Sequence, residues 1–443
     1  MSDFLKRAEE AVQLENWSLL NQYLQQLSFS DGNAITYQGA ESREVIPPEQ
    51  TLALALEVLE AGDFQARWDV AKVFPKLGTV AIASLVEILE DEEADLELRW
   101  FAARILGEFN HPEVVMALVE VLKTADQDED LSSMAATALA SLGPLAIAAL
   151  TDLLAEESSR LLAVRSLAQI RRVETIAPLL SVVHDPQVSV RATAIEALSS
   201  FHDARIPPVL IAALDDLAAA VRREAVIGLG LRTDLLNELD LVQLLQPRLR
   251  DFNLEVCQQA AIALGRVGSD AAATALLEVL QSPHTPISLQ LEGVRALSWI
   301  GTPLALTYLQ QALMLATLPD HSLVAVSQEI VTLLGRVEPP ALKPQAVEIL
   351  MELLNSEHPV LQSSGGKQAI ALSLGQLGDQ QALETLIQLL ADPDVGVRLH
   401  AIAALKNLAP EAARQRLESL LQDKNLTPAL EQGVAIALQE WQS

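Results

Sequence analysis

Two arginine–tryptophan pairs stand out among the residues able to do chemistry, Arg67-Trp68 and Arg99-Trp100, 32 residues apart. Four residues beyond each tryptophan lies a cation, Lys72 in one case and Arg104 in the other. This pairing suits recognition rather than bond making. Indole rings attract cations over their faces, and Trp and Arg are the side chains that dominate binding hot spots. An aromatic–basic surface of this kind fits an acidic protein face.

Bond-making chemistry finds weaker support. The seven histidines (His111, His184, His202, His284, His321, His358 and His400) include no pair at metal-ligand spacing with another His or Cys. SSGGKQ (363–368) has glycines before a lysine, but Gln368 stands where a phosphate loop needs Ser or Thr, and no strand precedes it. Cys257, the one cysteine, has apolar neighbours and reads as a packed thiol. The carboxylate run EDEEADLE (90–97) reads as a solvated loop. No catalytic residue, metal ligand or cofactor is assigned.

The pairs recur because the chain does. A helix pattern repeats around an anchor position, with an apolar residue before it, a small residue three on and an apolar residue seven on. The anchors fall at Arg67, Arg99, Ser132, Arg160, Arg191, Arg222, Cys257, Gln290, Ser327, Lys367, Arg398 and Glu431, spaced 28 to 40 residues apart. In VRATAIEALSSF (190–201), Val190, Ala194 and Leu198 lie on one face of a 3.6-residue period. The preceding ETIAPLLSVVHDP (174–186) has its own apolar face and stops at Asp185-Pro186. Each unit is thus two helices that cannot bury both faces alone, and the units must stack into one solenoid. Small residues at anchor+3, among them Ala194, Ala260 and Gly293, allow close helix approach. The longest gaps place extra residues around 316–324 and 356–367.

This register sorts the side chains. The anchor arginines Arg67, Arg99, Arg160, Arg191, Arg222 and Arg398 are expected to bond loop carboxylates of their own or the next repeat, such as Asp185 or Asp216. Positions +1 and +5 face away from the packed side. They carry Trp68, Trp100 and Arg223 at +1, and Lys72, Arg104 and Arg165 at +5. The two tryptophans serve either recognition or packing beneath the N-terminal segment. Residues 1–45 fall outside the repeat: SDFLKRAEEAVQLENWSLLNQYLQQL reads as polar amphipathic helix and 28–48 as turn and linker. The division is therefore a cap or arm over 1–45 and a repeat array over 46–443.

DPQVSVRATAIEALSSF (185–201), DLAAAVRREAVIGLG (216–230) and DPDVGVRLHAIAALKNL (392–408) resemble HEAT repeats, and more narrowly the short bilin-lyase-like HEAT repeats of cyanobacterial phycobilisome proteins. The resemblance spans roughly residues 48–441 and implies an all-α, right-handed solenoid of about twelve two-helix repeats. It implies that the second helices line a concave groove. Trp68, Trp100, Lys72, Arg104, Arg165 and Arg223 would then face a partner there. The implied functions are a protein-binding scaffold tied to phycobilisome assembly or turnover, or a bilin lyase or isomerase acting on antenna subunits. Phycobiliprotein subunits, with or without bilin, are the implied partners.

Composition narrows the remaining classes. With 59 acidic residues against 30 basic ones, the chain has a formal charge of −29, which repels nucleic acid and anionic membrane. No run reaches the ~18 apolar residues of a membrane span. The charged N-terminal MSDFLKRAEEAVQ lacks the apolar core of a secretory signal. A cytoplasmic location is expected, consistent with a single cysteine.

Overall fold

The computed structural model describes residues 3–29, 35–38, 43–124, 128–315, 321–422 and 426–441. The chain is an all-α solenoid of paired helices, divided into two compact units, Met1–Ile206 and Pro207–Ser443. In the first unit, Leu96–Leu106, Glu129–Ser141, Glu157–Ile170 and Val188–Ser199 stack side by side as a row of second helices, each packed on the first helix of its own repeat. The second unit repeats the design with Ala219–Leu231, Leu254–Val267, Ile287–Ile300, His321–Gly335, Ser364–Leu377 and Val395–Leu408. Of the insertion expected at 316–324, residues 316–320 lie outside the described residues.

The N-terminal segment departs from its reading as helix plus linker. Helices Asp3–Gln13 and Trp17–Gln25 are followed by three antiparallel strands, β1 (Ser28–Phe29), β2 (Ile35–Gln38) and β3 (Arg43–Ile46), in the order β1-β2-β3. Ile35 pairs with Ile46 and Thr36 with Val45. The alternation is present but only four residues long, which places Ile35, Tyr37 and Ile46 inside. Phe4 of the first helix meets the Tyr37 ring at 5.1 Å, and its backbone N–H donates to the Glu44 carboxylate at 3.2 Å.

The anchors hold each repeat's turn together. The Arg222 guanidinium donates to the backbone oxygens of Asp216 (2.8 Å) and Leu217 (3.0 Å), six and five residues earlier. Arg191 does the same to Asp185 and Pro186, Arg398 to Asp392 and Pro393, and Arg160 to Leu154 and Ala155. Arg67 and Arg99 reach slightly further back, to Leu59 and Glu60 and to Leu89. Leu59, Glu60 and Leu89 offer last-turn carbonyls that a helix leaves without intrahelical partners, and the others belong to the turn that follows.

Several anchors also reach forward. Arg160 meets Asp185 at 2.9 Å, and Lys367 meets Asp392 at 2.6 Å. Arg222 grips Asp251 with two bonds of 2.6 and 2.7 Å. Arg67 meets Asp95 and Glu97 at 3.0 and 2.7 Å, so the acidic run at 90–97 is an ion-pairing loop rather than a merely solvated one. In each of Asp185, Asp251 and Asp392 the Oδ1 atom accepts the backbone N–H two residues on, which fixes the turn.

A second device sets the spacing of the row. A Cβ added at Gly375 would lie 2.8 Å from both the Cα and the Cβ of Ala404 in the next second helix. Gly107 meets Ala138, Gly230 meets Ala263, Gly265 meets Ala296 and Gly335 meets Ser373 in the same way. Each pair joins anchor+8 of one repeat to anchor+6 of the next. The anchor+3 residues, expected at this contact, are fully buried elsewhere: Gly293 faces the Leu280 side chain of its own repeat's first helix.

Two outcomes follow from these contacts. Gly375→Ala is expected to destabilise the protein by about 1–3 kcal/mol through overpacking, although Ala is intrinsically the better helix former. Gly365→Ala, where an added Cβ meets open space, is expected to stabilise by about 0.5–1 kcal/mol. Denaturant melts of the two variants distinguish a packing contact from a propensity effect, because equal signs would refute the contact. The second outcome concerns acid. Arg222's hydrogen bonds hold the Asp251 carboxyl below its ordinary range despite burial. A depressed folded-state value makes this stability fully present above the unfolded carboxyl's ~4 and lost as pH falls through the folded value. Asp251→Asn is therefore expected to be less stable than wild type at pH 6 and to lose less on going to pH 3, read by urea titration at both pH values.

Candidate functional site

The N-terminal repeats bring the paired tryptophans into one cluster. Asp63 caps helix Phe64–Val70 by accepting the Ala66 N–H at 2.9 Å. This starts the helix at Phe64, whose side chain is 53% exposed. Trp68 follows one turn later and stacks on Phe64, with centroids 6.1 Å apart and planes inclined by 20°. From the next second helix, Phe101 presents its edge to Phe64 at 5.3 Å and meets Trp100 at 5.1 Å. Phe101 is buried, while both tryptophans are half-buried.

Arg104 completes the cluster, with its guanidinium carbon 4.0 Å from the centroid of Trp68. The expected grouping was one cation four residues beyond each tryptophan in its own repeat. The actual grouping crosses repeats. Helix Phe64–Val70 ends before Lys72, so Lys72 does not sit one turn above Trp68; it pairs with Asp69 at 2.9 Å instead. The Lys72 bond and a bond from Gln65, the larger cause, hold the Asp69 carboxyl below its ordinary range.

The other two cations named from the sequence lie elsewhere. Arg165 is exposed on helix Glu157–Ile170. Arg223 belongs to the second unit and is engaged by Glu224 at 2.8 Å and by Glu255 of the next repeat at 2.9 Å, so it is a tie between helices rather than a free contact. Phe64 and Phe101 went unrecognised in the sequence. The signal was present, since Phe64 and Trp68 form an i, i+4 aromatic pair at the start of a helix.

The N-terminal helices do cover part of the first repeat. Asn21 donates from Nδ2 to the Ala66 carbonyl at 2.9 Å, and Trp17–Gln25 packs on Pro48–Ala61 and Phe64–Val70. A cleft of 820 Å³ separates the turn at Leu14–Ser18 from Asp63, Gln65 and Asp69.

His358 and Cys257 are engaged in structural bonds. His358 is buried; its Nδ1 accepts the Val360 N–H at 3.1 Å, which leaves the Nε2 proton for the Leu313 carbonyl at 3.0 Å. Burial pushes this imidazole below its ordinary range, favouring the neutral form. Cys257 donates to the Asp251 carbonyl at 3.2 Å and burial pushes its thiol up. Among the described residues no group of three or more His, Cys, Asp or Glu side chains is placed to hold a metal ion. No single helix among them is long and apolar enough to cross a membrane.

Stacked helix pairs with a side-chain cluster on the second-helix row define a helical-repeat protein whose chemistry is presented on a surface. The chain belongs to the HEAT-repeat family: the family model described as HEAT repeats matches residues 82–162, 156–229, 206–291, 242–324 and 362–439. Comparison with curated proteins finds no match. Among solved structures, importin beta is similar at 15% identity over 98% of this chain and 64% of that one, with a TM-score of 0.50. Kap121p is similar at 15% identity over 89% of this chain and 54% of that one, with a TM-score of 0.47. An engineered protein matches at 20% identity over 89% of this chain and 96% of that one, with a TM-score of 0.34. At 15% identity the likeness to importin beta concerns the fold alone.

The cross-repeat stack makes a local prediction. Arg104→Ala is expected to leave folding intact while changing the emission of Trp68, which loses its stacked cation. With Trp17, Trp100, Trp299 and Trp441 replaced by Phe, identical spectra with and without Arg104 would contradict the stack.

Proposed function

We propose that this protein is a binding scaffold that captures a partner protein on the second-helix row of its N-terminal repeats. The observation that carries the reading is the Arg104–Trp68 contact between neighbouring repeats, beside an exposed Phe64. A large aromatic held rigid before binding loses little side-chain entropy on contact, which is what an interface anchor needs. Arg104 adds a cation that can turn to a carboxylate at the rim of the partner. The partner face that fits is acidic and apolar in patches.

The narrower partner class suggested by the repeat phrases is the phycobiliprotein subunit. Its bilin-handling version requires an open indole face for the tetrapyrrole, and Arg104 already covers a face of Trp68. Protein capture is therefore the reading favoured here.

Capture from a native host extract, followed by mass spectrometry, tests both. Phe64→Asp combined with Trp68→Ala is expected to abolish recovery of the partner, with the helical signal and unfolding midpoint close to wild type. Undiminished capture by that variant would end the proposal for this surface. Recovery of antenna subunits carrying bilin, lost in the same variant, would instead establish the chromophore-handling reading.

A further inference from the structure

The second unit presents a different stripe on its second-helix row, made by the residues nine positions beyond consecutive anchors. They are Leu231, Arg266, Trp299 and Arg336. Trp299 is 66% exposed and Leu231 is 54% exposed, unusual for side chains of this size. Arg266 and Arg336 are exposed, and among the described residues neither makes an ion pair. Apolar and cationic side chains thus alternate over four successive repeats.

The register of the row brings them onto one face. Gly265 packs against Ala296, which levels helix Leu254–Val267 with Ile287–Ile300. Arg295 meets Glu329 at 2.7 Å, which ties Ile287–Ile300 to His321–Gly335. Arg295 lies one turn before Trp299 on the same exposed side and is satisfied by Glu292 and Glu329. Two unpaired guanidinium groups therefore flank an exposed indole in a chain whose acidic residues outnumber its basic ones by 59 to 30. Neighbouring acids neutralise Arg222, Arg223 and Arg295. These two are left free.

We propose that Leu231, Arg266, Trp299 and Arg336 form a second docking site, for an extended acidic segment of a partner protein that carries apolar side chains at intervals. The commitment to an acidic occupant rests on charge complementarity. The interval follows from geometry. Packed helices lie about 8–10 Å apart, so Leu231 and Trp299, two repeats apart, are separated by roughly 20 Å. An extended chain advances about 3.3 Å per residue, which sets the two apolar side chains of the partner about six residues apart. The carboxylates between them meet Arg266, and those beyond Trp299 meet Arg336, as charge-assisted bonds. This site goes beyond the aromatic cluster of the first unit and does not depend on it.

The test uses the full chain and a fluorescein-labelled dodecapeptide of glutamates with two leucines six residues apart. Fluorescence anisotropy at low salt is expected to show saturable binding that weakens as salt rises. Trp299→Ala and the pair Arg266→Gln/Arg336→Gln are each expected to weaken it about tenfold or more. Phe64→Asp/Trp68→Ala is expected to bind this peptide like wild type, which separates this site from the proposed one. Failure of the wild-type chain to bind the peptide would overturn the proposal. So would equal binding by the arginine variant, equal affinity for a peptide with adjacent leucines, or equal or tighter binding of a dodecathymidylate.

Discussion

The structure depends on one hydrogen bond seen at no fewer than eight of the twelve anchors: a donor at the start of a second helix reaches back to a carbonyl at the end of the first helix or in the turn after it. The constant is the donor and not the charge. Cys257 supplies a thiol to the Asp251 carbonyl, and Gln290 supplies its amide to the Thr285 carbonyl at 3.0 Å, over the same backward reach as Arg160, Arg191, Arg222 and Arg398. A helix hairpin leaves its terminal carbonyls near the apolar contact between helices, where a lost partner costs about 1–3 kcal/mol. Any side chain that fills the role closes the turn. Charge adds a second function, the forward link to an aspartate that caps the next turn, seen at Arg160, Arg222 and Lys367. In the repeat anchored by the uncharged Gln290, the forward link lies on the exposed face, where Arg295 of the same helix bridges to Glu329.

These links would not hold a regular row without the glycine contacts. Paired small residues at anchor+8 and anchor+6 bring backbones of adjacent second helices within van der Waals reach. The first helices carry no such rule, and their mutual contacts run through longer side chains, as where Gln310 donates to Glu352 at 2.6 Å and Tyr308 bonds Thr274. Close approach on one layer and looser approach on the other give each unit a tight row on which exposed side chains hold fixed spacing. Fixed spacing is the property a multi-repeat recognition surface needs.

The sequence exposed the repeat clearly because its information is redundant: anchor, small residue and apolar face recur a dozen times, so single departures such as Ser132 or Glu431 do not hide it. Asp185 was legible as a partner of the anchors for the same reason. What was hidden needed partners in three dimensions. The four-residue alternation at Ile35–Gln38 is too short to outweigh surrounding turn chemistry. Arg104 was assigned to Trp100 by spacing along one helix, whereas its contact is set by the offset between helices. The place of Phe64 beside Trp68 depends on the helix start that the Asp63 cap fixes. The free arginines were invisible in principle, because whether an ion pair forms depends on distances set by the folded row.

Electrostatics shows what the perturbed groups are used for. General acid–base work needs a group poised near the working pH. Here the resolved shifts run the other way. Arg205 holds Asp203 down to about 2, Arg222 lowers Asp251, and carboxylates raise Arg222, Arg223 and Arg295. Burial lowers His358 and raises Cys257, leaving each in its uncharged form near neutrality. These are the signatures of groups spent on holding turns and helices. A strongly acidic chain that consumes most of its arginines internally has few cations left to present. Where one is held on an indole, as Arg104 is, or left unpaired beside one, as Arg266 and Arg336 are, its position is the informative feature of the surface. Recognition, then, is written in the cations the fold does not use.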